Sequence, residues 1–184
     1  MSMYNICIIG GPKTAGKSTV LKNLDRECYE IHTGSFLYEL AKERYDVDDR
    51  EKVLDNGLPI RVGDDFIYEI HEKVRENNVT IDTHFYVHGY LGIPKKSLEK
   101  LNNGYSIKLV HLTNDLDTLL KRRHEKGYDT DLEEVINDKY GNHQAFDVYK
   151  EVLAKNNRLD CLEIKNDSLE ETLEKIEGMF ENDI

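Results

Sequence analysis

The strongest constraint on this chain is the octapeptide Gly11-Pro-Lys-Thr-Ala-Gly-Lys-Ser18, which fits G-x-x-x-x-G-K-[ST] in full. The pattern carries meaning only between a strand and a helix. Both are present. Tyr4 to Gly10 (YNICIIG) is a nearly continuous apolar run, as expected of a strand buried on both faces. Thr19 to Asp25 puts Val20, Leu21 and Leu24 on one side of a helix. Gly11 and Gly16 permit backbone angles that other residues resist. The turn can then aim successive N–H groups inward as an anion nest, with the positive end of a helix behind them. Lys17 can reach β- and γ-phosphates, and the Ser18 hydroxyl suits Mg²⁺, which takes hard oxygen ligands. Gly11, Lys13, Thr14, Ala15, Gly16, Lys17, Ser18 and Thr19 are thus predicted to hold ATP, or a close relative, with Mg²⁺.

Strand and helix patterns alternate along the rest of the chain. Further strands are predicted at 28–32, 79–82, 106–112 and 159–164, and helices at 35–44, 60–76, 115–126, 132–154 and 169–180. Gly127 is placed to stop the helix at 115–126. Strands separated by helices imply parallel strands joined by crossovers. The expected fold is therefore α/β: a three-layer P-loop fold with a parallel five-stranded sheet, in one domain spanning 1–184. Two segments fit that plan poorly: Val47 to Pro59 is highly charged, and Thr83 to Gly104 reads as long and irregular.

The net charge of −11 makes a broad nucleic-acid face unexpected, because an acidic surface repels phosphate backbones. Any anionic substrate must be met by a local group of Lys and Arg. Cys7, Cys28 and Cys161 are odd in number and widely spaced, which predicts buried free thiols and a cytoplasmic address. No apolar run approaches the roughly 20 residues of a membrane span. Lys13 follows the first apolar run instead of preceding it, so no export-signal layout is expected. The sequence carries no sign of oligomeric state.

A phosphate loop is expected to work with an acidic residue at a neighbouring strand end. Asp82, closing Val-Thr-Ile-Asp, fits that role, and with Ser18 it forms the predicted metal pair. His84 lies two residues on, within reach of a phosphate or the attacking group. In Lys121-Arg122-Arg123, Arg123 lies four after Leu119 and Arg122 three after it, so at least one guanidinium leans toward the buried side. Arg50 and Arg61 are candidate clamps for a second anion.

These residues together resemble the nucleoside monophosphate kinases, above all the archaeal-type adenylate kinases. The resemblance rests on the phosphate loop, His32-Thr-Gly-Ser35 before an amphipathic helix, Asp48-Asp-Arg50, Val79-Thr-Ile-Asp-Thr-His84 and Lys121-Arg-Arg123. It implies that Thr33 and Gly34 line a monophosphate pocket and that Arg50 and Arg61 hold the acceptor phosphate; His84, by its place after Asp82, is the further acceptor-side candidate. It also implies that Arg122 and Arg123 stabilise the transferring phosphoryl group and that Asn166 lies near adenine, so that with Lys17 and Asp82, whose roles follow from the loop and the strand end, four residues are expected to serve catalysis. An acceptor-binding segment at about 33–78 and a lid at about 121–132 follow from the same resemblance. The chain departs from the family at Gly127-Tyr-Asp-Thr-Asp131, which lacks the lid's further arginines, and at Tyr68, where a basic residue is expected. Asp64 and Asp65 add negative charge near the acceptor pocket. Arg122 to Tyr128 also resembles the adenylate-kinase-like ATPases of ribosome assembly. Two alternatives stay open: such an ATPase, or a kinase acting on a small-molecule hydroxyl. A GTPase is disfavoured, since Asn-Lys-x-Asp is missing from the sequence.

Overall fold

The computed structural model describes residues 5–24, 27–46, 49, 58–87, 89–102, 105–156 and 158–181. Strand β1 (Asn5–Gly10) is the centre of a five-stranded sheet in the order β2-β3-β1-β6-β7. Its neighbours are β3 (Val79–Asp82) and β6 (Ser106–Thr113); β2 (Tyr29–His32) and β7 (Leu159–Lys165) form the edges. Every pairing in this sheet is parallel. Parallel strands need crossovers, and helices supply them on both faces.

The apolar run of β1 is explained by those two faces. Ile6 and Ile8 enter one core with α2 (Thr33–Tyr45), α3 (Leu58–Val74) and most of α6 (Leu132–Leu153). Cys7 and Ile9 enter a second core with α1 (Lys17–Asn23), α5 (Leu116–Glu125) and α7 (Leu169–Glu181). Helix α6 serves both, giving Val135 to the second core and Phe146, Tyr149 and Leu153 to the first. Its 22 residues span about 33 Å, enough to cross from one face to the other. Register then fixes where the site lies. Ile9 and His32 both pair with Asp82, and Gly10 pairs with His111, so the carboxyl ends of four strands meet at one edge. Crevices at such edges are where open α/β sheets bind ligands.

Several expectations are corrected by the structure. Helices α1 and α2 start two residues early, at Lys17 and Thr33. Their first turns face the sheet's carboxyl edge and are polar, so the apolar stripe does not mark them. The described residues of the segment 83–104 form regular elements: Tyr86–Val87 (β4) pairs antiparallel with Tyr90–Leu91 (β5). A short helix α4 (Lys95–Leu98) and a 3₁₀ turn (Glu99–Asn102) follow. Isolated apolar residues hold it down: Phe85, Ile93, Leu98 and Leu101 are fully buried, and the Ile93 N–H donates to the Tyr149 hydroxyl at 2.6 Å. All three cysteines are free, but only Cys7 is buried; Cys28 is half-buried and Cys161 is exposed on the edge strand β7. Most of Val47 to Pro59, Arg50 included, lies outside the described residues.

Because β1 is covered on both sides, Ile8→Ala is expected to cost about 2–5 kcal/mol in urea unfolding with an unchanged slope. Tyr68→Ala, at a side chain 59% exposed, is expected to cost under about 0.5 kcal/mol. Equal losses would contradict the placement of the core.

Candidate active site at the phosphate loop

The loop between β1 and α1 folds as its glycines predict. Gly11 has φ 148° and Gly16 φ 98°. A Cβ on Gly11 would lie 2.0 Å from the Leu112 carbonyl oxygen. Thr14 also takes a left-handed φ of 65°, unusual for a β-branched residue. Its hydroxyl lies 2.6 Å from the Lys13 carbonyl and 3.2 Å from the Leu119 carbonyl, and Arg122 Nη1 donates to the Thr14 carbonyl at 3.4 Å. Among the described residues the N–H groups of Gly16, Lys17 and Ser18 have no acceptor, which leaves them for a bound anion.

Lys17 closes the turn. Its side chain is only 7% exposed, and Nζ donates to the carbonyls of Gly11 at 2.8 Å and Pro12 at 3.0 Å. Burial lowers its pKa to about 8, partly opposed by the charges of Asp82 and Asp138. His84 sits beside it, with Nδ1 3.0 Å from the Gly11 carbonyl and 3.5 Å from Lys17 Nζ. Burial, then the Lys17 charge, hold the imidazole pKa down to about 3, so it is neutral at physiological pH. A carbonyl only accepts, so Nδ1 carries the proton and Nε2 is left as an acceptor.

Asp82 ends β3, where Oδ2 bonds His32 Nδ1 at 3.1 Å. Its other oxygen, Oδ1, is buried with no partner among the described residues. So is the hydroxyl of Thr33, the first residue of α2 after the neighbouring β2. Two orphaned polar atoms at adjacent strand ends mark a place for a ligand. Ser18 and Thr19 lie exposed in the first turn of α1, and Gly34 is exposed in the first turn of α2. Arg61 is on α3, but its side chain lies outside the described residues.

Arg122 and Arg123 take different places. Arg122 reaches over the loop at Thr14. Arg123 is 1% exposed and ion-paired with Asp138 of α6. Asp138 is the residue that sequence reasoning missed. Its Oδ2 also accepts from the Lys13 N–H at 2.9 Å, and its Oδ1 accepts from Asn142 Nδ2 at 2.8 Å. One carboxylate thus ties the loop to both α5 and α6. The signal was present: Val135, Asp138, Asn142, Ala145 and Phe146 follow helical spacing, so two polar residues interrupt an otherwise apolar stripe. Lys13 Nζ stacks on the Tyr128 ring at 4.6 Å, which joins the loop to the 127–131 turn. From the opposite side, Asn166 Nδ2 donates to the Ala15 carbonyl at 2.8 Å, and Oδ1 accepts from Thr172 at 3.0 Å. Asn166 braces the loop itself. Asp64 and Asp65 are both ion-paired within the protein: Asp64 with Lys100 at 2.8 Å and Asp65 with Arg44 at 3.0 Å. Each thus has a cation of the protein against it, although Arg44 is shared between Asp65 and Glu69.

Residues 6–145, more than half of the chain, match the AAA domain family. This chain belongs to that family. The structure of this AAA domain is similar to shikimate kinase from Bacteroides thetaiotaomicron, with a TM-score of 0.58, 19% identity, and 98% of this chain and 99% of that one covered. Shikimate kinase from Acinetobacter baumannii, solved in complex with shikimate, aligns with a TM-score of 0.55 at 15% identity over 100% and 96%. Shikimate kinase from Aquifex aeolicus aligns with a TM-score of 0.54 at 19% identity over 97% and 96%. At these identities the likeness establishes the P-loop kinase fold. No curated protein matches the chain significantly. No helix among the described residues is long and apolar enough to cross a membrane.

Lys17 gives this AAA domain a pH signature. In the free protein its ammonium is lost as pH rises through about 8, whereas an unfolded lysine keeps its proton to about 10.4. Bound phosphates stabilise the charged form. ATP binding is therefore expected to take up a proton between pH 8 and 10 and to weaken as pH rises across that range. Calorimetry in buffers of different ionisation heat reads the uptake. An affinity independent of pH there would contradict the assignment.

Proposed function

We propose that this protein transfers the γ-phosphoryl group of ATP to a small-molecule acceptor, and that the acceptor is a nucleoside monophosphate. One observation carries the reading: beside a phosphate loop closed by Lys17, the strand ends hold two buried polar atoms without partners, Asp82 Oδ1 and Thr33 Oγ1. Thr33 lies in the first turn of α2, apart from the phosphate loop, while Asp82 is near enough to Lys17 to act on its charge, so an acceptor held at Thr33 would meet the ATP phosphates at Asp82. In this reading Lys17 and Arg122 stabilise charge on the moving phosphoryl group. Arg123 is held in place by Asp138, and Arg50 and Arg61 grip the acceptor phosphate from the segment 33–78. Residues 121–132 act as the lid that excludes water.

The Ser18 hydroxyl and the Asp82 carboxylate fit Mg²⁺, since both are hard oxygen donors and Asp82 Oδ1 is buried without a partner. When bound, Mg²⁺ neutralises charge on the phosphates of ATP. The free thiols fit a reducing, cytoplasmic setting.

A hydroxyl acceptor is the second reading, supported by the shikimate kinases that share the fold. The two differ chemically. A phosphate acceptor is already anionic, whereas a hydroxyl must lose a proton, which the neutral His84 Nε2 or Asp82 can take.

A transfer screen separates them, using ATP with each nucleoside monophosphate, with small hydroxy acids, and with no acceptor. Phosphorylation of a nucleoside monophosphate is expected. Arg61→Ala is expected to raise the Michaelis constant for that acceptor roughly 10- to 150-fold, the equivalent of losing one charge-assisted contact, and to leave that for ATP nearly unchanged. Turnover only with hydroxy acids would favour the second reading, and hydrolysis without any acceptor would overturn both.

A further inference from the structure

Next to the phosphate loop, on the α6 side of the sheet, side chains of three elements converge: His111 of β6, Glu163 of β7 and His143 of α6. His111 and Glu163 are register partners across β6 and β7. Glu163 Oε2 lies 3.2 Å from His111 Nδ1 and 3.3 Å from His143 Nδ1. One ligand atom from each of the three residues lies within 4.8 Å of the other two. A tetrahedral ion with bonds of about 2.0–2.1 Å holds its ligand atoms about 3.4 Å apart. Two of the three ligand separations already have that length.

The chemistry of the set is specific. Two imidazoles and a carboxylate suit zinc and its borderline neighbours, whereas Mg²⁺ and Ca²⁺ favour oxygen throughout. His111 is 1% exposed, and packing fixes its ring: Phe146 lies 5.0 Å and Phe85 5.8 Å away, centroid to centroid. Its Nε2 is buried with no partner among the described residues, so no other contact fixes the tautomer. His143 and Glu163 are 52% and 44% exposed, which leaves an entry path and room for water as a fourth ligand.

We infer that His111, His143 and Glu163 form a binding site for one divalent transition-metal ion of the zinc class, separate from the nucleotide's Mg²⁺. An ion there would clamp α6 to β6 and β7. The clamp lies one helical turn and a residue beyond Asp138, the carboxylate that anchors Lys13 and Arg123. It also meets β6 at the residue paired with Gly10, where the phosphate loop begins.

The test uses the full chain, stripped with a chelator, in excess Mg²⁺ to occupy oxygen-donor sites. Co²⁺ serves as the spectroscopic probe. One equivalent is expected to give the visible absorption of a low-coordinate Co²⁺ site, and Zn²⁺ is expected to displace it. Zn²⁺ is also expected to raise Tm. His143→Ala and Glu163→Gln change exposed positions and leave the core intact. Each is expected to weaken Co²⁺ binding at least about tenfold and to abolish the Zn²⁺-dependent rise in Tm. Absence of the Co²⁺ spectrum would overturn the site. So would Co²⁺ affinity in both variants equal to the parent's, because the ion would then sit elsewhere on this acidic surface. An unchanged Tm response in the variants would overturn it as well.

Discussion

The nucleotide end of this protein depends on one buried ammonium, that of Lys17, donating to two carbonyls of its own loop. A carbonyl-lined turn with inward amides is a poor structure without a charge to organise it. Lys17 supplies that charge from the first turn of α1, and burial makes the charge costly enough to favour an arriving anion. The position follows from sequence spacing. Lys17 sits six residues after Gly11, whose left-handed backbone brings its carbonyl under the helix start. A buried central strand fixes the other end, because a one-residue slip of β1 would exchange Ile6 and Ile8 with Cys7 and Ile9 between two differently shaped cores.

The loop is then held from both sides by residues with no direct business with phosphate. Asp138 joins the Lys13 amide to Arg123, and Asn166 supports the Ala15 carbonyl. Asp138 lies on a helix that packs into both cores, so movement of α6 would be felt at the loop. A buried guanidinium is tolerated only with an anion against it, and removing one partner of such a pair costs far more than the pair contributes. Arg123 and Asp138 are therefore a unit, with Arg122 the guanidinium of the two that faces the loop.

Much of this was legible in the sequence. The octapeptide between an apolar run and an amphipathic helix fixed the loop, and the alternation of periods gave the parallel sheet. Helical spacing correctly turned Arg123 inward, but inward proved to mean toward Asp138. What escaped was tertiary pairing. Nothing local marks Asp64 as the partner of Lys100, or Asn166 as a brace for a loop 151 residues earlier. The segment 83–104 was unreadable for a related reason, since its apolar residues are anchored singly by α3 and α6 instead of repeating with a period. Cys161 reads as apolar in sequence, yet it lies on an edge strand whose outer face no helix covers fully.

The most direct measurement is ATP turnover by Lys17→Ala, with Tm recorded alongside. The proposed function makes Lys17 a phosphate ligand, and the two cores rest on other residues. The variant is therefore expected to melt as one cooperative unit near the parent's temperature and to lose about 100- to 1,000-fold in kcat. A folded variant with near-normal turnover would show that this ammonium does not act on the phosphoryl group, and the account of the site would fail.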